Sequence, residues 1–194
     1  MKVYKVLGEN GEPVNGGHGK WSLPNRGKPG KWMPKIEGEL VPCDNGYHLC
    51  RRDDLITWLG PTIYEAEYRG SAVNGGNKVV VREARLLRRL SWDDRIARLF
   101  SCDCAEWALS LVEKPDPRSL EVVRVGRLFA IGKATQEELN AARAAARDAA
   151  RDAALAADGA AAGAAAKAAA WDAARAAARE YIRDRLFEYL EGRA

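Results

Sequence analysis

Three soft metal ligands fall within one short stretch, Cys43, His48 and Cys50 of Pro42-Cys43-Asp44-Asn45-Gly46-Tyr47-His48-Leu49-Cys50. Thiolate and imidazole are donors that zinc prefers, and Cys102, Cys104 or His18 would supply a fourth. No spacing here is that of a zinc finger, so the competing reading is buried thiols and a core histidine held by a hydrogen bond. A second stretch with chemical potential is Val14 to Ile36, which lacks any acidic residue. There His18, Lys20, Arg26, Lys28, Lys31 and Lys35 are interleaved with Trp21 and Trp32. Cations beside indole faces can receive a phosphate-rich or acidic partner, which makes Trp21, Trp32, Lys20, Arg26, Lys28 and Lys31 the candidate partner-binding residues. The same composition fits a surface loop pinned by two buried indoles with solvated lysines around them. Cys102-Asp103-Cys104 is a poor redox pair, because residues two apart diverge on a helix. No nucleophile elbow, P-loop or HExxH occurs, so the motifs assign neither a catalytic residue nor a cofactor.

The elements that must position these residues follow from periodicity. Val3, Lys5 and Leu7 alternate against Lys2, Tyr4 and Val6, which predicts a strand ended by Gly8-Glu9-Asn10-Gly11. Asp44-Asn45-Gly46 is a turn signal between short apolar runs, and a hairpin there would set Cys43 opposite His48. Arg51 to Leu59 reads as a short helix stopped by Gly60-Pro61. Ile63 to Arg69 and the region from Val79 to Leu87 read as strands around an Asn74-Gly75-Gly76-Asn77 turn. Residues 1–90 are therefore expected to form a small β-rich domain with one short helix.

From Ser91 the pattern turns helical, giving an expected helical domain over 91–194 with helices near 92–113, 117–131, 136–157 and 160–190. Thr135 and Glu138 form a capping-box signature, and Pro117 stands at a first-turn position after Asp116. The stretch from Ala141 to Ala178 is dominated by alanine, the best helix former. The cations here and just beyond sit on one four-residue grid, Arg143, Arg147 and Arg151, then Lys167, Arg175, Arg179 and Arg183, and Asp148, Asp152, Asp172 and Asp184 each stand one place after a grid position. One unbroken helix from Gln136 to Leu190 would run about 80 Å, so a hairpin turning at Asp158-Gly159 and Gly163 is expected instead. The fold class that results is α+β, a β-rich N-terminal part followed by an alanine-rich all-helical part with a long helical hairpin.

Charge narrows the function classes. A net charge of +4 argues against an acidic mimic of DNA and is too mild to indicate nucleic-acid binding by itself. No run of eighteen apolar residues occurs, so no membrane partner is expected, and a cytoplasmic chain with thiols in place of disulfides is the reading of its four cysteines.

Two family resemblances rest on these residues. Pro42-Cys43 with Gly46-Tyr47-His48, then Tyr64-Glu65-Ala66-Glu67-Tyr68-Arg69-Gly70 and the stretch from Lys78 to Leu90, resemble an uncharacterised domain of phage and bacterial proteins with a Cys-x-x-Gly-aromatic-His core. Trp92-Asp93-Asp94-Arg95 and Asp103-Cys104-Ala105-Glu106, followed by the alanine helices, resemble the helical immunity-protein domain. Neither brings an assigned catalytic residue. Gly46-Tyr47-His48-Leu49 with Tyr64-Glu65-Ala66-Glu67 is similar to the strand-helix-strand of ADP-ribosyltransferase-like folds, which implies His48, Tyr64 and Glu67 as candidates around bound NAD.

The expectation that leads is a non-enzymatic module binding another protein, either a phage-encoded inhibitor of a host defence system or an immunity-type protein. An NAD-using enzyme is the first alternative. A nucleic-acid binder acting through the basic loop and the cluster from Arg82 to Arg98 is the second, and self-association through the alanine helices is a further expected partner mode.

Overall fold

The computed structural model of the chain describes residues 2–158 and 164–194. It is a mixed α+β protein, with a curled antiparallel four-stranded sheet in the N-terminal half and four helices after it among the described residues. Two compact units are present, one of Met1–Asp93 with Phe187–Ala194 and one of Asp94–Leu186. The boundary expected after residue 90 therefore shifts slightly, and residues 187–194 belong with the sheet.

In the sheet unit the strands are β1 (Val3–Leu7), β2 (Tyr47–Leu49), β3 (Thr62–Asn74) and β4 (Val79–Arg89), in the order β1-β3-β4-β2. β3 and β4 form a long hairpin whose tip closes through Gly75 N–H donating to the Lys78 carbonyl at 2.9 Å. Register shifts at Glu65/Ala66 and Arg69/Ala72 bend it, as bulges do. The sheet then curls on itself. Tyr4 N–H donates to the Cys50 carbonyl and Cys50 N–H to the Tyr4 carbonyl, both at 2.8 Å, so the residue after β2 meets β1 from the far end of the strand order.

Both faces of β1 are covered, which is why Val3, Tyr4, Val6 and Leu7 are all buried. Val3 and Leu7 join one core with Leu49, Tyr64, Val81 and Trp21. Tyr4, on the alternate face, packs edge-on against Phe187 at 5.3 Å between ring centroids, and the Arg52 guanidinium lies 3.9 Å from the same ring. The expected helix over Arg51 to Leu59 shortens to one 3-10 turn, Leu55–Trp58.

The segment between β1 and β2 has no strand of its own, yet it is fixed. Backbone N–H groups of Gly30, Met33 and Ile36 donate to the carbonyls of Leu86, Ala84 and Arg82 at 2.8, 2.9 and 3.0 Å, laying residues 30–36 along β4 beyond the end of β2. Glycine is required at 30, since a Cβ there would stand 1.9 Å from the Ser22 carbonyl oxygen.

The helical unit holds α1 (Asp94–Ser110), α2 (Pro117–Ala130), α3 (Gln136–Asp158) and most of α4 (Ala164–Leu190). Both start signals operate. Asp116 accepts from Arg118 N–H at 2.8 Å ahead of Pro117, and Thr135 and Glu138 cap each other reciprocally at 2.7 and 3.2 Å. Leu139 and Ala142 of α3 are buried with Val125 of α2, so part of the alanine face is a packing seam. The expected hairpin turn over residues 159–163 lies outside the described residues. Buried Asp103 ties α1 to α2 and α4, with Arg127 Nη1 and Arg185 Nε each 2.6 Å away. Beside it Trp107 stacks on Tyr181 at 5.0 Å.

Candidate ligand cavity in the sheet unit

Alternation along β1 puts Lys5 on the same face as core residues Val3 and Leu7. The side chain is half-buried and turns into a solvent-open cavity of about 450 Å³ whose walls include Trp21, Tyr47, His48, Cys50, Trp58 and Lys78. Lys5 Nζ donates to the His48 carbonyl at 3.0 Å and lies 5.2 Å from the Trp21 ring centroid. Burial lowers its pKa to about 8, with Cys50 acting weakly in the opposite sense.

The other walls are set by the turn before β2 and by the start of β4. Cys43 occupies a left-handed backbone conformation, φ 68°, inside the tight turn that pairs Val41 with Asn45. Its N–H donates to His48 Nε2 at 2.9 Å, an arrangement that requires Nε2 to be unprotonated. Burial, then the Lys78 and Lys5 charges, lower the His48 pKa below its ordinary value, which agrees with a neutral ring. Lys78 Nζ lies 2.9 Å from Cys43 Sγ and 5.2 Å from the Trp58 ring, whose Nε1 donates to the Asn77 carbonyl at 2.9 Å. The Tyr47 hydroxyl donates to the Pro34 carbonyl at 2.7 Å, and burial raises its pKa. The Cys50 thiol is pushed up to about 11, chiefly by burial, and so stays protonated.

Charge in this cavity is one-sided. Among the described residues, neither Lys5 nor Lys78 has a carboxylate oxygen within 4.0 Å. Asp44 is the single carboxylate among the lining residues, and it is exposed. Two ammonium groups beside three aromatic rings form a place where an anion with a flat body would be stabilised.

The structure separates the residues singled out from sequence. His48 lines the cavity, but Tyr64, 2% exposed, is part of the sheet core, and Glu67 is ion-paired with Arg85 on the alternate face of β3. The period of two along a strand sends Tyr64 and Glu67 to opposite faces, so these three do not assemble a catalytic triad. Cys43 lies in a turn and not across a hairpin from His48, and no group of three potential ligands converges among the described residues. Trp21 corrects the expectation of partner contact. It is 4% exposed, packed edge-to-face on Tyr47 at 5.4 Å, and offers no free ring. Trp32 is half-buried with the guanidinium groups of Arg69 and Arg85 at 4.4 and 4.7 Å from its ring. Lys20, Arg26, Lys28 and Lys31 are exposed on the loop and do not line the cavity.

The basic cluster of β4 is largely spent within the fold. Arg88 pairs with Glu65 at 2.7 Å, Arg89 with Glu9 at 3.3 Å, and Arg85 with Glu67 across the β3–β4 ladder. Such compensation leaves little of that cluster for phosphate. Lys5, Lys78 and Trp58 are the site residues that motif reasoning passed over. The available signal was a lysine in the register of two core residues.

No protein-family model matches the chain, no curated protein matches it, and no solved structure matches it. No helix among the described residues is long and apolar enough to cross a membrane.

Proposed function

We propose that the sheet unit is a receptor for a small anionic molecule with a planar body. The observation that carries this reading is the pair of lysines, Lys5 and Lys78, facing one aromatic-walled cavity without a carboxylate partner. A volume of about 450 Å³ matches a compact organic ligand. Half-buried Tyr47 and Trp58 supply apolar area, with buried Trp21 packed behind Tyr47, and the ammonium groups supply charge in a medium where it acts more strongly than in water. Titration with benzoate against benzamide, followed by tryptophan fluorescence, tests it. Benzoate is expected to bind, benzamide at least tenfold more weakly, and Lys78→Met to erase about 1.4 kcal/mol of the difference. Equal affinity for the two compounds refutes the charge argument.

A second reading, a protein-binding module of the host-defence inhibitor or immunity type, is favoured by a different observation. Trp32 lies under Arg69 and Arg85 with Lys31 exposed beside it, and tryptophan and arginine dominate binding hot spots. Under this reading the loop face meets an acidic segment of another protein. A partner captured by the wild-type protein is expected to be lost with Trp32→Ala and retained with Lys78→Met, and equal recovery with Trp32→Ala removes the loop from the interface.

We also propose that α3 and α4 fold back as a hairpin, with self-association through their alanine faces read out by light scattering. The four free thiols, Cys43, Cys50, Cys102 and Cys104, suit a reducing cytoplasm.

A further inference from the structure

Lysine on a sheet-core face is normally neutralised by a carboxylate, because an isolated ammonium away from water is costly. Lys5 has no such partner. Its one hydrogen-bond acceptor is the backbone carbonyl of His48, at 3.0 Å, which leaves the remaining amine valences directed into the cavity. Among the described residues no carboxylate oxygen lies within 4.0 Å of it, and β3, the neighbouring strand, sets Tyr64 opposite it. β1 itself contributes no other charge, β2 and the residue after it contribute neutral His48 and protonated Cys50, and the start of β4 contributes the like charge of Lys78. In the preceding turn stand Cys43 and exposed Asp44, and the long loop adds His18. Trp21 closes the amine's apolar side.

We infer that Lys5 is a nucleophilic amine that forms an imine with a small oxo-acid, a carbonyl compound bearing a carboxylate whose charge is met by Lys78. The inference rests on the cavity being the ligand site proposed above. In the step, the neutral amine lone pair forms a C–N bond to the carbonyl carbon and the oxygen takes up a proton. The carbinolamine then loses that oxygen as water together with the second amine hydrogen, giving C=N without change of oxidation state. A pKa of about 8 leaves an appreciable fraction of Lys5 unprotonated near neutral pH, whereas an ordinary lysine at 10.5 is almost wholly charged.

The test is reductive trapping on the full chain with 4-formylbenzoate and cyanoborohydride, followed by peptide mapping. Hydride addition to C=N leaves a stable secondary amine at each lysine that formed an imine. Lys5 is expected to be modified at least about tenfold faster than exposed Lys2 and Lys35, after allowing for the lower nucleophilicity of a less basic amine. Its rate should rise with a midpoint near pH 8. Adducts spread over the exposed lysines with Lys5 spared overturn the proposal, as does a Lys5 rate that climbs only near pH 10. Mapping the wild-type chain needs no Lys5 variant to fold. Protection of Lys5 by excess benzoate supports the anion site. If neutral benzaldehyde labels Lys5 selectively while benzoate gives no protection, the amine chemistry stands and the anion reading falls. If benzoate binds but neither aldehyde traps Lys5, the reverse holds.

Discussion

Replacing Asp103 with asparagine should destabilise the helical unit by roughly 2–3 kcal/mol. The carboxylate is 4% exposed and contacts guanidinium nitrogens of Arg127 and Arg185, each at 2.6 Å. Breaking a buried ion pair by removing one partner costs about 3–5 kcal/mol. Two features reduce that range. The arginine side chains are 34% and 29% exposed, so solvent takes up part of the stranded charge, and Arg127 keeps Glu106 as a second partner. Asparagine matches the shape but offers one acceptor oxygen, while its amide hydrogens face a donor. Urea unfolding followed by far-ultraviolet dichroism should show the helical transition shifted down by about 1–2 M, given m-values of about 1–3 kcal/mol/M. Asp94→Asn is the control, because its carboxylate is 87% exposed and pairs with Arg98 at 3.4 Å, a contact of no more than about 0.5 kcal/mol. If the two variants unfold at the same urea concentration, Asp103 does not act as the electrostatic tie of the three helices.

Alkaline titration should distinguish the two units. Lys5 has a folded pKa of about 8 against an ordinary 10.5, so folding releases a proton in that window and the sheet unit gains stability as pH rises from 8. Cys50 has a folded value of about 11 against 9.0, so stability is lost from pH 9 upward, and the two effects oppose each other until the amine is titrated in both states. In the helical unit Cys104, raised to about 11 mainly by burial, contributes a falling limb, joined by Cys102 and Tyr181, which burial also raises, and unit-specific melting against pH checks both shapes. Trp21→Ala should cost about 3–5 kcal/mol as a core truncation, while Trp32→Ala should cost under half of that, compared by chemical denaturation. Gly30→Ala should lower sheet-unit stability by about 2 kcal/mol, since the added methyl meets a backbone oxygen that cannot swing away, and a thermal melt reads it.

The architecture was legible where a single physical rule governed a segment. Thr135 with Glu138 and Asp116 before Pro117 mark helix starts because orphan N–H groups demand those side chains, and the starts fall there. Val79-Val80-Val81 reads as strand from its β-branched run, and the structure buries all three side chains. What sequence could not supply is which cations are already compensated. Arg85 and Arg88 look free in one dimension, and their carboxylate partners, Glu67 and Glu65, lie across a ladder whose register depends on two bulges. Trp21 and Trp32 follow the same Gly-Lys-Trp motif, yet Trp21, held by the Gly11 carbonyl and packed on Tyr47, is core, while Trp32 rides on the segment docked along β4 and is half-buried under arginines. Lys5 was visible as an anomaly between Val3 and Leu7, and its meaning required the cavity.

Phe187 is the cover for Tyr4, and their separation along the chain has a kinetic cost. Synthesis proceeding at roughly 5–20 residues per second leaves the Tyr4 side of the nascent sheet waiting on the order of ten seconds for its lid to emerge. During that interval the apolar Tyr4 flank of the sheet stays uncovered until residues 187–194 arrive to pack on it.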